Sequence, residues 1–386
     1  MKSKSKILSV EYNIAHDIIR PSIYKYFTDL GYQVDFLLAE TENKKRWDFF
    51  IRINDEIKTI KTSYEEMNKI LTSDYIKKYD FIIFNTSFSF MSDFKYTNIS
   101  ILEAIYQSVG KYPEPKWGFL TIPPHVKGFF STDSNLLKDG KYSDMYVVNH
   151  VGYNGLPLLA ANYFGDVKIT PKSDENIFLA TGNIAPHQKN HKLLITAADK
   201  LDKEKLNNFK IIINGVGENL DIPRHLTKYF EFAGDNKPDK LFEIIEKSDF
   251  ITALLDSSVE WQKNQYGHGT CSCALMYSLG FSKPLLIEDY FTANYGLNND
   301  NSIIYEGQNL YTAMKKAILM SKENYSELQN QVKAYSDYLS EKTLKDMKNL
   351  LIKAKRYYYP DKIRKFLRQY SFIRDLGKAV KNVFNK

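Results

Sequence analysis

The chain has 386 residues, 43% hydrophobic and 26% charged, with 2 cysteines and a formal net charge of +7. Such a length exceeds one ordinary core and suits two domains, and the composition excludes a disordered or low-complexity chain. Two cysteines exclude a disulfide framework and fit a reducing compartment, and no apolar run reaches the roughly 18 residues that spanning a membrane requires.

In chain order, Met1–Lys6 is basic, but Ile7–Val10 is too short for a signal-peptide core and runs into Glu11. Ile7–Tyr12 reads as a buried strand, Asp17–Leu30 as a helix stopped at Gly31, and Val34–Ala39 as the next strand. Phe81–Ser87, Trp117–Ile122 and Met145–Asn149 predict further strands, with a helix over Ile99–Val109. Gly165–Ser173 loosens into a linker, and a second alternating series follows. Its strands are Asn176–Gly182, Phe209–Gly215, Phe230–Gly234, Asp249–Leu255 and Pro284–Asp289; its helices are Lys192–Leu201, Pro238–Lys247, Gly269–Leu279 and Leu310–Met320. Strand–helix alternation implies parallel sheets covered on both faces. The expected fold class is therefore α/β: two tandem Rossmann-like doubly wound domains, residues 1–168 and 169–345, with a helical tail over 346–386. Ligands of such sheets bind beyond the carboxyl ends of the strands, so the default site is a cleft between the domains.

The second series carries the chemistry. Gly182 ends a strand and Lys189 stands just before a helix; Gly215 and Gly217 follow the next strand; Gly234 forms a strand-to-helix turn; Gly267 and Gly269 precede another helix. Glycines before a helix let backbone N–H groups approach an anion, and the helix N-terminus carries partial positive charge. Thr270 and Ser272 add hydroxyls, and Lys189 a full positive charge where a departing diphosphate would need one. Cys271 and Cys273 lack partners for a structural zinc site, no Asp-x-Asp pair occurs, and no Walker phosphate loop or dinucleotide fingerprint is present.

This order of motifs over Asn176–Ala317 resembles the donor-binding domain of GT-B glycosyltransferases, nearest the large retaining group that includes bacterial capsule and lipopolysaccharide enzymes. The resemblance implies a metal-independent enzyme taking a UDP- or GDP-linked sugar. It assigns Lys189 to the diphosphate, the turn at Ala233, Gly234 and Asp235 to the base, and Gly267, His268, Gly269, Thr270 and Ser272 to phosphates and sugar. The family's arginine after the first glycine is replaced by Asn183, and its two glutamates fall near Asn264 and Ser272. Glu288 or Asp289 then stands in for the residue that holds the ribose. In the first half, which matches only in architecture, His125 lies where retaining relatives place a histidine facing the donor sugar. His16 and Asp17 follow the first strand, where inverting relatives place a base; as an N-cap, Asp17 has an equally simple structural reading.

From Asp361 to Lys386, eight Lys or Arg residues face two acids, and Ile363, Phe366, Leu367, Tyr370 and Ile373 recur at helical spacing. A basic amphipathic helix suits an anionic membrane surface, or packs on its own protein. The rest of the chain is nearly balanced in charge, which argues against nucleic acid. The sequence thus implies a cytoplasmic transferase, free or peripheral on the inner membrane face, acting on a glycan or lipid-linked glycan. A non-catalytic partner of another transferase and a sugar-nucleotide epimerase are the alternatives.

Overall fold

The computed structural model describes residues 5–11, 14–40, 46–86, 128–131, 145–147, 150, 157–185, 188–217, 219–267 and 270–356. The expected strand Trp117–Ile122, the helix Ile99–Val109 and the basic tail beyond 356 lie outside these residues.

In the first half, strand β1 (Lys6–Glu11) leads through a 3-10 turn (Ile14–Ile19) into helix α1 (Arg20–Asp29) and then β2 (Gln33–Ala39). The predicted helix from Asp17 begins instead as that tighter turn, with Pro21 in the opening positions of α1, where its missing N–H costs nothing. Then come β3 (Thr59–Thr62), α2 (Tyr64–Thr72), β4 (Phe81–Thr86), β5 (Gly128–Ser131) and β6 (Met145–Val147). Ser63 caps α2, its side chain accepting from the Glu66 N–H at 3.2 Å. The second half comprises β7 (Asn176–Thr181), α3 (Lys192–Lys203), β8 (Phe209–Asn214), β9 (Phe230–Phe232), α4 (Pro238–Lys247), β10 (Phe250–Thr252), α5 (Glu260–Tyr266), α6 (Cys273–Phe281), β11 (Leu285–Glu288), α7 (Asp289–Tyr295), β12 (Ser302–Tyr305), α8 (Leu310–Leu319) and α9 (Lys322–Arg356).

All pairings are parallel, in the orders β3-β2-β1-β4-β5-β6 and β9-β8-β7-β10-β11-β12. Each half therefore starts in the middle of its sheet, winds outward, returns and winds the other way, which is the doubly wound α/β pattern expected from the sequence. The strands are nearly continuous apolar runs because both faces are covered: Phe178, Leu179, Ile211, Ile213, Phe250 and Ile251 are all buried.

The halves share a packed junction. Phe164 stacks among Phe242, Tyr277 and Phe281, at ring separations of 5.6, 5.6 and 5.4 Å. Gly280 is required there, since a Cβ would come within 2.3 Å of the Phe164 ring. Arg52 of the first half grips Glu246 of α4 with both guanidinium nitrogens, the second at 3.1 Å. Lys283 donates to Thr170 Oγ1 at 2.7 Å and to the Glu246 carbonyl at 2.9 Å. Helix α9 contacts α1 as well as α6.

Candidate functional site

The second sheet reverses its winding between β7 and β10, and the residues singled out in sequence gather at the carboxyl ends of these strands. The loops after β7 and β8 are zipped together: Ile184 N–H donates to the Val216 carbonyl at 2.9 Å, and Ile184 bridges Gly217. A Cβ on Gly215 would stand 1.9 Å from the Gly182 carbonyl oxygen, and one on Gly217 would stand 2.3 Å from that of Ile184. Gly215 and Gly217 are thus glycines because two backbones touch, whereas Gly182 has room for a Cβ but adopts φ +108°. Asn183, where the resemblance expects arginine, is exposed and donates to Gln188 at 3.3 Å.

The β7 loop delivers Lys189 to the switch point. Its Nζ donates to the Ala253 carbonyl, just beyond β10, at 2.6 Å and to Ser272 Oγ at 3.0 Å. The Tyr266 ring lies 5.5 Å from the ammonium. Lys189 is 4% exposed. Burial pushes its pKa below the ordinary lysine value, and among the described residues its titratable neighbours are the Cys271 and Cys273 thiols, with no carboxylate. Among the described residues, two of its three donors are used and one remains.

Ser272 is the N-cap of α6, yet its side chain caps no N–H of the first turn. Its Oγ instead accepts from Lys189 and keeps its own hydrogen to donate. A buried cation therefore stands beside the positive end of a helix, an arrangement that repels itself until an anion enters. The sequence places this helix at Gly269–Leu279; it begins four residues later, at Cys273, and a separate helix, α5, ends at Tyr266 with Gly267 as its C-cap. The intervening turn holds Thr270, whose Oγ1 accepts from Gln265 Nε2 at 3.1 Å. His268 and Gly269 lie outside the described residues.

Further along the sheet edge, Gly234 adopts φ +78° in a turn with open space around its α-carbon. Beside it, Asn236 Nδ2 donates to Asn214 Oδ1 at 2.7 Å. On the opposite side a polar cluster missed in sequence surrounds Asp256, which accepts from Asn190 Nδ2 at 2.6 Å and Gln308 Nε2 at 3.0 Å. The three residues come from three separate segments, so no local motif signals them. Glu288, expected to hold a ribose, has one oxygen on the Ser257 N–H at 2.8 Å and the other on the Ser257 hydroxyl. Burial raises its pKa, assisted by Asp256 and Asp289, against the lowering effect of Ser257.

In the first half, Asp17 is 2% exposed and ion-paired to Arg46 at 2.5 Å and Arg20 at 3.3 Å. Its second oxygen, Oδ2, is buried without a hydrogen bond. Burial raises its pKa although both arginines oppose the shift. His16 lies in the 3-10 turn just before it, its side chain outside the description, and His125 lies outside the described residues altogether. Among the described residues no group of three or more His, Cys, Asp or Glu is placed to hold a metal, and no helix is long and apolar enough to cross a membrane.

No protein-family model matches the chain, and no curated protein sequence does. Solved structures do. HepE of Anabaena, in complex with UDP and glucose, superposes with a TM-score of 0.54 at 11% identity over 90% of this chain and 99% of its own. TarM gives 0.52 at 11% identity over 91% and 99%. AviGT4, a glycosyltransferase of avilamycin A biosynthesis, gives 0.51 at 11% identity over 90% and 98%. At such identities the likeness establishes the fold, which is GT-B.

Proposed function

We propose that the protein is a glycosyltransferase that moves a sugar from a UDP- or GDP-linked donor to a glycan or glycolipid acceptor. One observation carries this reading: Lys189, buried with no carboxylate beside it among the described residues, stands at the sheet's switch point beside the uncapped N-terminus of α6. When the bond from the anomeric carbon to the diphosphate breaks, negative charge grows on the leaving oxygens. Fixed donors already in place stabilise that charge without reorganising. The third N–H of Lys189, the Ser272 hydroxyl and the first-turn amides of α6 are such donors. They supply positive charge from the protein itself, and so turnover persists when divalent cations are chelated. That HepE was solved with UDP and glucose, and AviGT4 is a glycosyltransferase, supports the same reading.

The finer assignments follow from the sequence. His125 faces the donor sugar, the outcome at the anomeric carbon is retention, and the product belongs to a surface polysaccharide such as capsule or lipopolysaccharide. The basic tail holds the enzyme on the anionic inner face of the cytoplasmic membrane, where a lipid-linked acceptor resides. The test is release of nucleotide from a panel of UDP- and GDP-sugars, with EDTA present and with glycan acceptors added. Nucleotide release bears the proposal out. Epimerised donor without release makes the protein an epimerase, and no nucleotide binding by calorimetry makes it a non-catalytic partner.

A further inference from the structure

The segment 270–272, which leads into α6, is held from behind by two tyrosines that no phosphate would touch. The Tyr295 hydroxyl, at the end of α7, donates to the Thr270 carbonyl at 3.0 Å, and the backbone of Ser272 also bonds it. Tyr295 is 3% exposed, so this contact is made away from water. Its own carbonyl is in turn gripped by the hydroxyl of Tyr335 on α9, at 2.7 Å. Gly296 makes that grip possible: it adopts φ +63°, and a Cβ there would stand 2.2 Å from the Tyr335 oxygen. Around the two rings lies a cavity of about 20 Å³, bordered by Cys271, Leu275, Tyr295, Tyr335 and Leu339. Packing behind the turn is therefore incomplete, and directed hydrogen bonds rather than close contact fix its position.

We infer that Tyr295 is a positioning residue for donor binding, and that Tyr335 of α9 holds it in place. The role rests on the donor-site reading above: the segment it fixes carries Ser272, which meets Lys189 and stands at the uncapped N-terminus of α6. Fixing the Thr270 carbonyl keeps the following N–H groups and the Ser272 hydroxyl aimed at one point, so the ordering of the turn precedes ligand arrival. Helix α9 is itself bonded to the first half one residue further on, where Asn162 Nδ2 donates to the Ser336 carbonyl at 2.9 Å. The length of α9 thus reaches from the first half to the back of the turn.

The test replaces each hydroxyl and keeps each ring, with Tyr295→Phe, Tyr335→Phe and the double variant in the full chain. UDP and GDP are titrated by calorimetry, and thermal unfolding is followed on the same samples. The expected result is about a fivefold to tenfold weaker affinity in each single variant, the size of one directed hydrogen bond. The double variant loses no more than the worse single one, because both act through one chain of contacts. A merely structural role would lower the thermal midpoint and leave the affinity of the folded protein unchanged, and that result overturns the inference. Should Tyr295→Phe fail to fold, the half-exposed Tyr335→Phe decides the question alone. Absence of UDP and GDP binding by the wild type overturns the donor reading together with this role, whereas unchanged affinity in the variants removes the role alone.

Discussion

Lys189 and His191 sit two residues apart and both carry the cost of burial, in ways that pH separates. His191 is 3% exposed, and burial lowers its pKa to about 4, with only the Lys189 carbonyl bonding to offset it. Since the folded-state value lies below the unfolded one, the unfolded chain takes up the proton first as pH falls. Stability is therefore intact above about pH 6.5 and declines between there and pH 4. At pH 5 this amounts to about 2 kcal/mol, and His191→Gln lacks that part of the decline. Denaturant midpoints of both proteins at pH 7.5 and pH 5 measure it; equal declines would show that His191 charges as easily folded as unfolded. The sequence made Lys189 legible through its place between a strand and a helix. Its partners were not legible, because Ala253 and Ser272 are brought to it only by the packing of β10 and α6 against β7. Asp17, read as a base or a cap, proves to be tied to Arg46 and Arg20, and the distant Arg46 gave no local signal.

Among the elements, the loops after β8 and β9 show how one residue type serves two ends. Gly234 needs its φ of +78° but has space, whereas Gly215 is pressed against a neighbouring backbone. Gly234→Ala then costs about 1–2 kcal/mol, the strain of a left-handed residue. Gly215→Ala costs more, because a carbonyl cannot yield as a flexible side chain can, and it also separates the loop that carries Lys189. Chemical unfolding ranks the two, and equal costs would mean that the loops part freely. Most strands were legible as apolar runs, and Pro238–Lys247 was predicted to the residue. Short elements were missed: β3, α5 and α7 have 4, 7 and 7 residues, too few for either periodicity to declare itself. The helix expected from Gly269 begins at Cys273, and Thr270, ahead of it, is held by Tyr295 instead.

At the scale of the molecule, the alternation of strands and helices was enough to foresee two doubly wound sheets. It could not foresee how they meet, since Arg52, Glu246, Lys283 and Phe164 belong to no repeating pattern and act only once both sheets exist. The functional reading depends on the second sheet alone, on a cation placed where its winding reverses and where a helix begins. Calorimetric titration of UDP and GDP into wild-type protein and Lys189→Met, with thermal unfolding of the ligand-free samples, addresses that dependence directly. The expected result is binding by the wild type and a loss of about 10- to 100-fold in the variant, the worth of a hydrogen bond from a charged donor. The ligand-free variant should unfold at the same temperature or higher, since an unpaired buried charge has been replaced by an apolar side chain. Equal affinity in the two proteins, or a variant that loses binding only because it has lost its fold, would contradict the assignment of Lys189 to an incoming diphosphate.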